Sequence, residues 1–169
     1  MARETEEDAP PSIGLRLSQA RAVLEHAELG IDVTAAWAGV ELLRALDRSL
    51  EARRAAGAQL GDELVRAAGA ALGARMAAVL TLDWIAGGDG EEPEVALRFA
   101  GSEVVLYPER MVRAHLAGAA RDGTTVCLER LVESAAGYLD HLVRYFPSRL
   151  GLERRSRGAR RRTAPEAER

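Results

Sequence analysis

The chain has 169 residues, 23 basic and 26 acidic, for a formal net charge of −3, and it is 47% hydrophobic but only 4% aromatic. Those figures exclude a collagen, a disulfide-stapled secreted module and a highly charged disordered chain. The length fits one domain with tails, large enough to fold without metal or disulfide.

Every basic residue is arginine, an excess that reads first as compositional bias, and the only cysteine is Cys127. A lone cysteine rules out an intrachain disulfide, and no run reaches the roughly 18 apolar residues of a membrane span. Met1 to Pro10 is acidic rather than apolar, unlike a secretory signal. The expected compartment is the cytoplasm. Charge is uneven along the chain: −3 over residues 1–10, −5 over 11–147 and +5 over 148–169. The expected organisation is a disordered acidic arm (1–12), a single domain (13–147) and a disordered arginine-rich tail (148–169).

In chain order, the first helix is expected from Ser18, as cap, to Glu28, with Gly30 ending it. Asp32 caps a second helix running from Val33 to Arg54, whose apolar residues recur every three or four positions from Ala36 to Leu50. An alanine-rich helix from Ala58 to Ala71 stops at Leu72-Gly73, and its open face offers a route to a homo-oligomer. Met76 to Trp84 is apolar on both faces and reads as a covered strand. Glu94 to Phe99 alternates as a second strand, and Glu103 to Tyr107 returns as a third. Pro108 starts a helix to Ala120. Thr124 or Thr125 caps the last one, which Pro147 stops. Helices around a small antiparallel meander make an α+β domain: about three strands against about five helices. Trp37 and Trp84 are its expected core anchors.

Chemistry-bearing residues are sparse. His26, His115 and His141 have no partner at metal-ligand spacing, so neither a metal nor a cofactor is expected. Cys127 lies near the start of the last helix, where a thiolate is favoured, yet it needs an oriented base to act as a nucleophile. His115 is the one histidine able to approach it. A buried small hydrophobe is the preferred reading of Cys127. The run from Gly87 to Glu92 lacks the ligand alternation of a calcium loop and reads as an acidic hairpin. No phosphate-binding glycine motif is present, and the absence of lysine removes Schiff-base chemistry. An enzyme is the minority reading.

Gly61-Asp62-Glu63-Leu64-Val65, then Leu72-Gly73, then Val104 to Arg113 with its Tyr107-Pro108-Glu109-Arg110-Met111 junction, resemble a bacterial family known only as a domain of unknown function. The likeness spans about residues 38–135. It implies a small α+β fold and supplies no catalytic residues.

The favoured function is therefore a non-enzymatic protein-interaction module: an adaptor, a chaperone-like partner or an immunity-type inhibitor. Its partner is expected at the acidic hairpin, through Asp89, Glu91, Glu92 and Glu94. The alternative is a nucleic-acid accessory protein binding phosphates through Arg154, Arg155, Arg157, Arg160, Arg161 and Arg162. No aromatic is interleaved with those arginines for base stacking.

Overall fold

The computed structural model describes residues 11–87, 94–99 and 101–147, with side chains from Ile13 onward. Helix α1 (Pro11–Glu25) starts well before Ser18. Ile13 and Leu17 are buried at 1% and 0% exposure and extend the stripe of Ala20 and Leu24 backwards, while Pro11 supplies a first-turn residue with no amide to satisfy. Ser18 is an exposed mid-helix position rather than a cap. After the helix both Glu28 (φ 53°) and Gly30 (φ 72°) are left-handed, so Gly30 completes the turn as expected.

The long second helix is broken. Asp32 does cap a helical turn, with its Oδ1 accepting Ala35 N at 3.0 Å and its carbonyl accepting Ala36 N at 3.0 Å. That turn ends at Ala38, which holds φ 65°, a conformation costing a non-glycine residue about 1–2 kcal/mol. Gly39 N then donates to Ala36 O at 2.7 Å. A Cβ at Gly39 would lie 2.9 Å from that same oxygen, so glycine is required there. Helix α2 (Val40–Ala55) starts afresh and buries Leu42, Leu43, Ala45, Leu46 and Leu50. Trp37, left in the interrupted turn, is half-buried at the margin of the core beneath the Arg21 guanidinium, 4.6 Å from its ring.

Helix α3 (Asp62–Val79) runs straight through Leu72-Gly73. Gly73 is a contact point instead: a Cβ there would meet Trp84 Cη2 at 2.6 Å and Pro108 Cγ at 3.1 Å. Met76, expected in a strand, is fully buried in the last turns of α3, because a short apolar run suits a buried helix as well as a buried strand. The strands are β1 (Leu82–Gly87), β2 (Glu94–Phe99) and β3 (Val105–Leu106). They pair antiparallel in the order β1-β2-β3, with Trp84 opposite Leu97 and Leu97 opposite Leu106. Gly101 (φ 70°) turns the β2–β3 link. Ser102 holds it by donating to Phe99 O at 2.8 Å and accepting Val104 N at 3.1 Å.

Helix α4 (Pro108–Asp122) begins on Pro108 and ends at left-handed Gly123. Helix α5 (Glu129–Tyr145) follows a short connection. Neither Thr124 nor Thr125 caps it. The architecture is α+β: five helices and a three-stranded antiparallel sheet among the described residues. Helix α3 is central, with α1, α2, α4, α5 and the sheet packed on it. Its alanines Ala67, Ala68, Ala71 and Ala74 are buried inside the domain, so it offers no alanine-rich face to a second copy. None of the described helices is long and apolar enough to cross a membrane.

Candidate functional site

Small residues create the main concavity. On α3, Ala67, Gly69 and Ala70 stand where bulkier side chains would fill the space between helices. Gly69 brings α4 against α3 so closely that a Cβ would lie 2.6 Å from Glu109 Cα. With Ala20 and Val23 of α1, Trp84 and Val95 of the sheet, and Pro108, they line a cleft of about 450 Å³. That is a size suited to a small ligand or a few side chains. The floor is apolar and includes the edge of Trp84, itself 8% exposed.

The mouth is charged. Arg16, Arg66, Glu94, Glu109, Arg110 and Arg113 enclose an adjoining space of about 360 Å³. Arg110 donates from Nε and Nη2 to Glu94 Oε2, at 2.8 Å each, and lies 4.3 Å from the Tyr107 ring centre. Arg113 holds Glu109 Oε1 through Nε at 3.0 Å and Nη2 at 2.8 Å, and reaches Asp62 Oδ1 with Nη1 at 2.8 Å. The Arg113 hydrogen bond keeps the Asp62 carboxyl below its usual range, and Asp62, with Glu109, holds the Arg113 guanidinium more firmly charged. Glu63 and Arg66, on the exposed side of α3, make no hydrogen bond or ion pair to another described residue. The Tyr107-Pro108-x-x-Met111 junction thus stands at this mouth, with Tyr107 under Arg110 and Pro108 against Gly73.

A second polar cluster joins α2, α4 and α5. Three successive amides ahead of α5 donate to side chains: Val126 N to Glu51 Oε2 (3.3 Å), Cys127 N to His115 Nε2 (3.0 Å) and Leu128 N to Asp47 Oδ1 (2.9 Å). The start of α5 is therefore capped by residues of other helices, which explains why its own threonines are idle. Arg54 braces the end of α4 by donating to Ala119 O (2.7 Å), Thr124 O (2.9 Å) and Glu51 Oε1 (2.7 Å). Burial raises the Asp47 carboxyl to about 6 against the opposing pull of the Leu128 amide. Chiefly its bond to Arg54, and then the Val126 amide, lowers Glu51. Burial, with Arg130 nearby, lowers His115. His115 and Cys127 do come together, but the imidazole accepts the backbone amide. Nε2 is then unprotonated, and the contact is a structural tie. Among the described residues no His, Cys, Asp and Glu group is placed to hold a metal ion.

Of the expected partner-binding residues, Glu94 is at the charged mouth, with its side chain 17% exposed. Asp89, Glu91 and Glu92 lie outside the described residues, as do Arg154, Arg155, Arg157, Arg160, Arg161 and Arg162. Sequence reasoning missed Arg16, Arg66, Glu109 and Arg113. The available signal was Glu63, Arg66, Ala67 and Ala70, a helical stripe that mixes charge with side chains too small to fill a core.

No curated protein and no solved structure matches the chain. Residues 43–121, from the first turn of α2 to the last turn of α4, match the family model of a domain of unknown function (DUF3806). That match bears out the resemblance to a family of unknown function and takes in every wall of the cleft except α1.

Proposed function

We propose that this protein is a non-catalytic module that binds another protein at the cleft between α1, α3, the sheet and α4. The observation that carries this reading is an apolar floor around Trp84 beneath a rim bearing charges of both signs. A single anionic ligand would be drawn by Arg16 and Arg66 but opposed by Glu63 and Glu109. A protein surface offers both signs around an apolar anchor, and such anchors in desolvated pockets supply most of the energy of many interfaces. The rim charges then act on the rate and selectivity of association. In this reading Glu94 contributes through its place beside Arg110, and Asp89, Glu91 and Glu92 add negative charge in the sequence just before it.

The test is capture from native lysate by the immobilised full chain, compared with Ala70→Arg, which fills the cleft from a partly exposed position on a helix that accommodates arginine well. The expected result is a stoichiometric protein retained by the wild type and lost from the variant, both melting at similar temperatures. No stoichiometric protein, or equal retention by the variant, overturns the reading.

A further inference from the structure

Helix α5 carries an exposed face of a different kind from the cleft. The chain has two Trp, three Tyr and two Phe, and three of these seven, Tyr138 (50%), Tyr145 (60%) and Phe146 (42%), are exposed together at the end of α5. Exposed His141 lies among them, its ring centre 4.8 Å from that of Tyr145 and 5.9 Å from that of Phe146. Clustered aromatics on a surface mark a contact site where scattered ones would not.

The rest of the face indicates what covers it. Arg130, Ser134, Gly137, Tyr138, His141 and Tyr145 share one exposed side of the helix at spacings of 4, 3, 1, 3 and 4, an order that reads the same in both directions. The N-terminal half of the stripe is small or cationic and the C-terminal half is aromatic. In an antiparallel pair about a two-fold axis between Gly137 and Tyr138, each bulky group meets a small or cationic one. Tyr138 enters the space beside the partner's Gly137, where even an added Cβ has no neighbour within 4 Å. His141 meets the partner's Ser134, and Tyr145 presents its ring to the partner's Arg130, an attractive cation–π pairing. Glu133 on the flank faces the partner's Arg144, whose own Asp140 lies 3.5 Å away.

We propose that two copies of this chain associate through the outer face of α5 as an antiparallel, two-fold symmetric helix pair. This is an isologous contact, in which one patch serves both subunits. A single helix pair buries less than the roughly 800 Å² per partner of a standard stable interface, so the dimer is weak and concentration-dependent. The surface is separate from the cleft, and the inference goes beyond the proposed function: each can fail alone.

Sedimentation of the full chain over a concentration series tests it. The wild type should pass from monomer to dimer. Tyr138→Arg removes the knob. Gly137→Leu fills the hole while raising helix propensity, so it folds at least as well. Each should weaken the dimer at least about tenfold, while Ala70→Arg in the cleft leaves it unchanged. In a Cys127→Ala background, cysteines at both Ser134 and His141 should cross-link two chains under mild oxidation, and a cysteine at Ser134 alone should not. A wild type that stays monomeric throughout, a dimer retained by either α5 variant, or a dimer that the paired cysteines fail to cross-link would overturn the proposal.

Discussion

The cleft mouth and the α2–α4–α5 clasp are built from the same residue types and do different work. At the mouth, arginines and carboxylates pair near solvent: Arg113 is 45% exposed and its partner Asp62 69%. Such pairs contribute little to stability because water already satisfies each ion. In the clasp, Asp47 and His115 receive backbone amides in a partly dehydrated interface, where a lost acceptor strands a donor without water. Identical chemistry is thus adjustable surface in one place and a structural tie in the other. Burial makes the difference.

Four substitutions and one change of condition, pH, can break or sharpen that contrast. The largest effect is expected at Gly69→Ala, where the neighbour is helix backbone rather than a flexible side chain. Pushing α4 off α3 should cost about 3 kcal/mol by denaturant unfolding, the upper part of the overpacking range, and should widen the cleft. Next is Asp47→Ala, which leaves the Leu128 amide without an acceptor and should cost about 2 kcal/mol. Asp47→Asn keeps an oxygen acceptor while removing a buried charge, and should be neutral or stabilising at pH 8. A destabilised asparagine variant would refute this account of the clasp.

The pH response separates the two clasp residues. Asp47 has a folded pKa raised from 3.8 to about 6, so the folded state holds its proton more tightly, and this group adds stability as pH falls from above 6 towards 3.8. His115 is lowered from 6.5. Its contribution is complete above 6.5 and is lost as pH falls through its folded value. The two slopes oppose one another in the wild type. Asp47→Asn removes the first, so its stability relative to wild type should be greatest at pH 8 and clearly smaller at pH 5. A difference constant with pH would show that Asp47 does not titrate as described. The smallest effect is expected at the cleft mouth: Arg113→Ala should cost only about 0.5 kcal/mol, further reduced by salt.

Much of the fold was legible where a local signal and a tertiary demand agreed. The β2 strand at Glu94 to Phe99 follows from alternation, and Pro108 as a helix start follows from its fixed φ and missing amide donor. Misreadings arose where one residue type serves two purposes. Gly73 looked like a helix stop but clears space for Trp84, and Gly39 looked like the interior of a helix but stands at the break, as the residue that precedes α2. Met76 to Leu80 is apolar at every position, which mimics a buried strand, yet it closes α3 with only Met76 fully buried and Val79 45% exposed. Of the candidate site, Glu94 was found from its charge, while Arg16, Arg66 and Arg113 were not. Their convergence depends on how α1, α3 and α4 pack, and no short-range pattern records it.

By itself the sequence determined the α+β class, the three-stranded meander and the apolar stripes of the outer helices, because periodicity and turn chemistry act over a few residues. Only the tertiary structure decided that Gly69 and Gly73 are packing surfaces, that α5 is capped by Glu51, His115 and Asp47 rather than by its own threonines, and that four arginines meet beside an apolar cleft. Those outcomes join residues as much as 81 positions apart, as from Asp47 to Leu128, and are set by which helices touch.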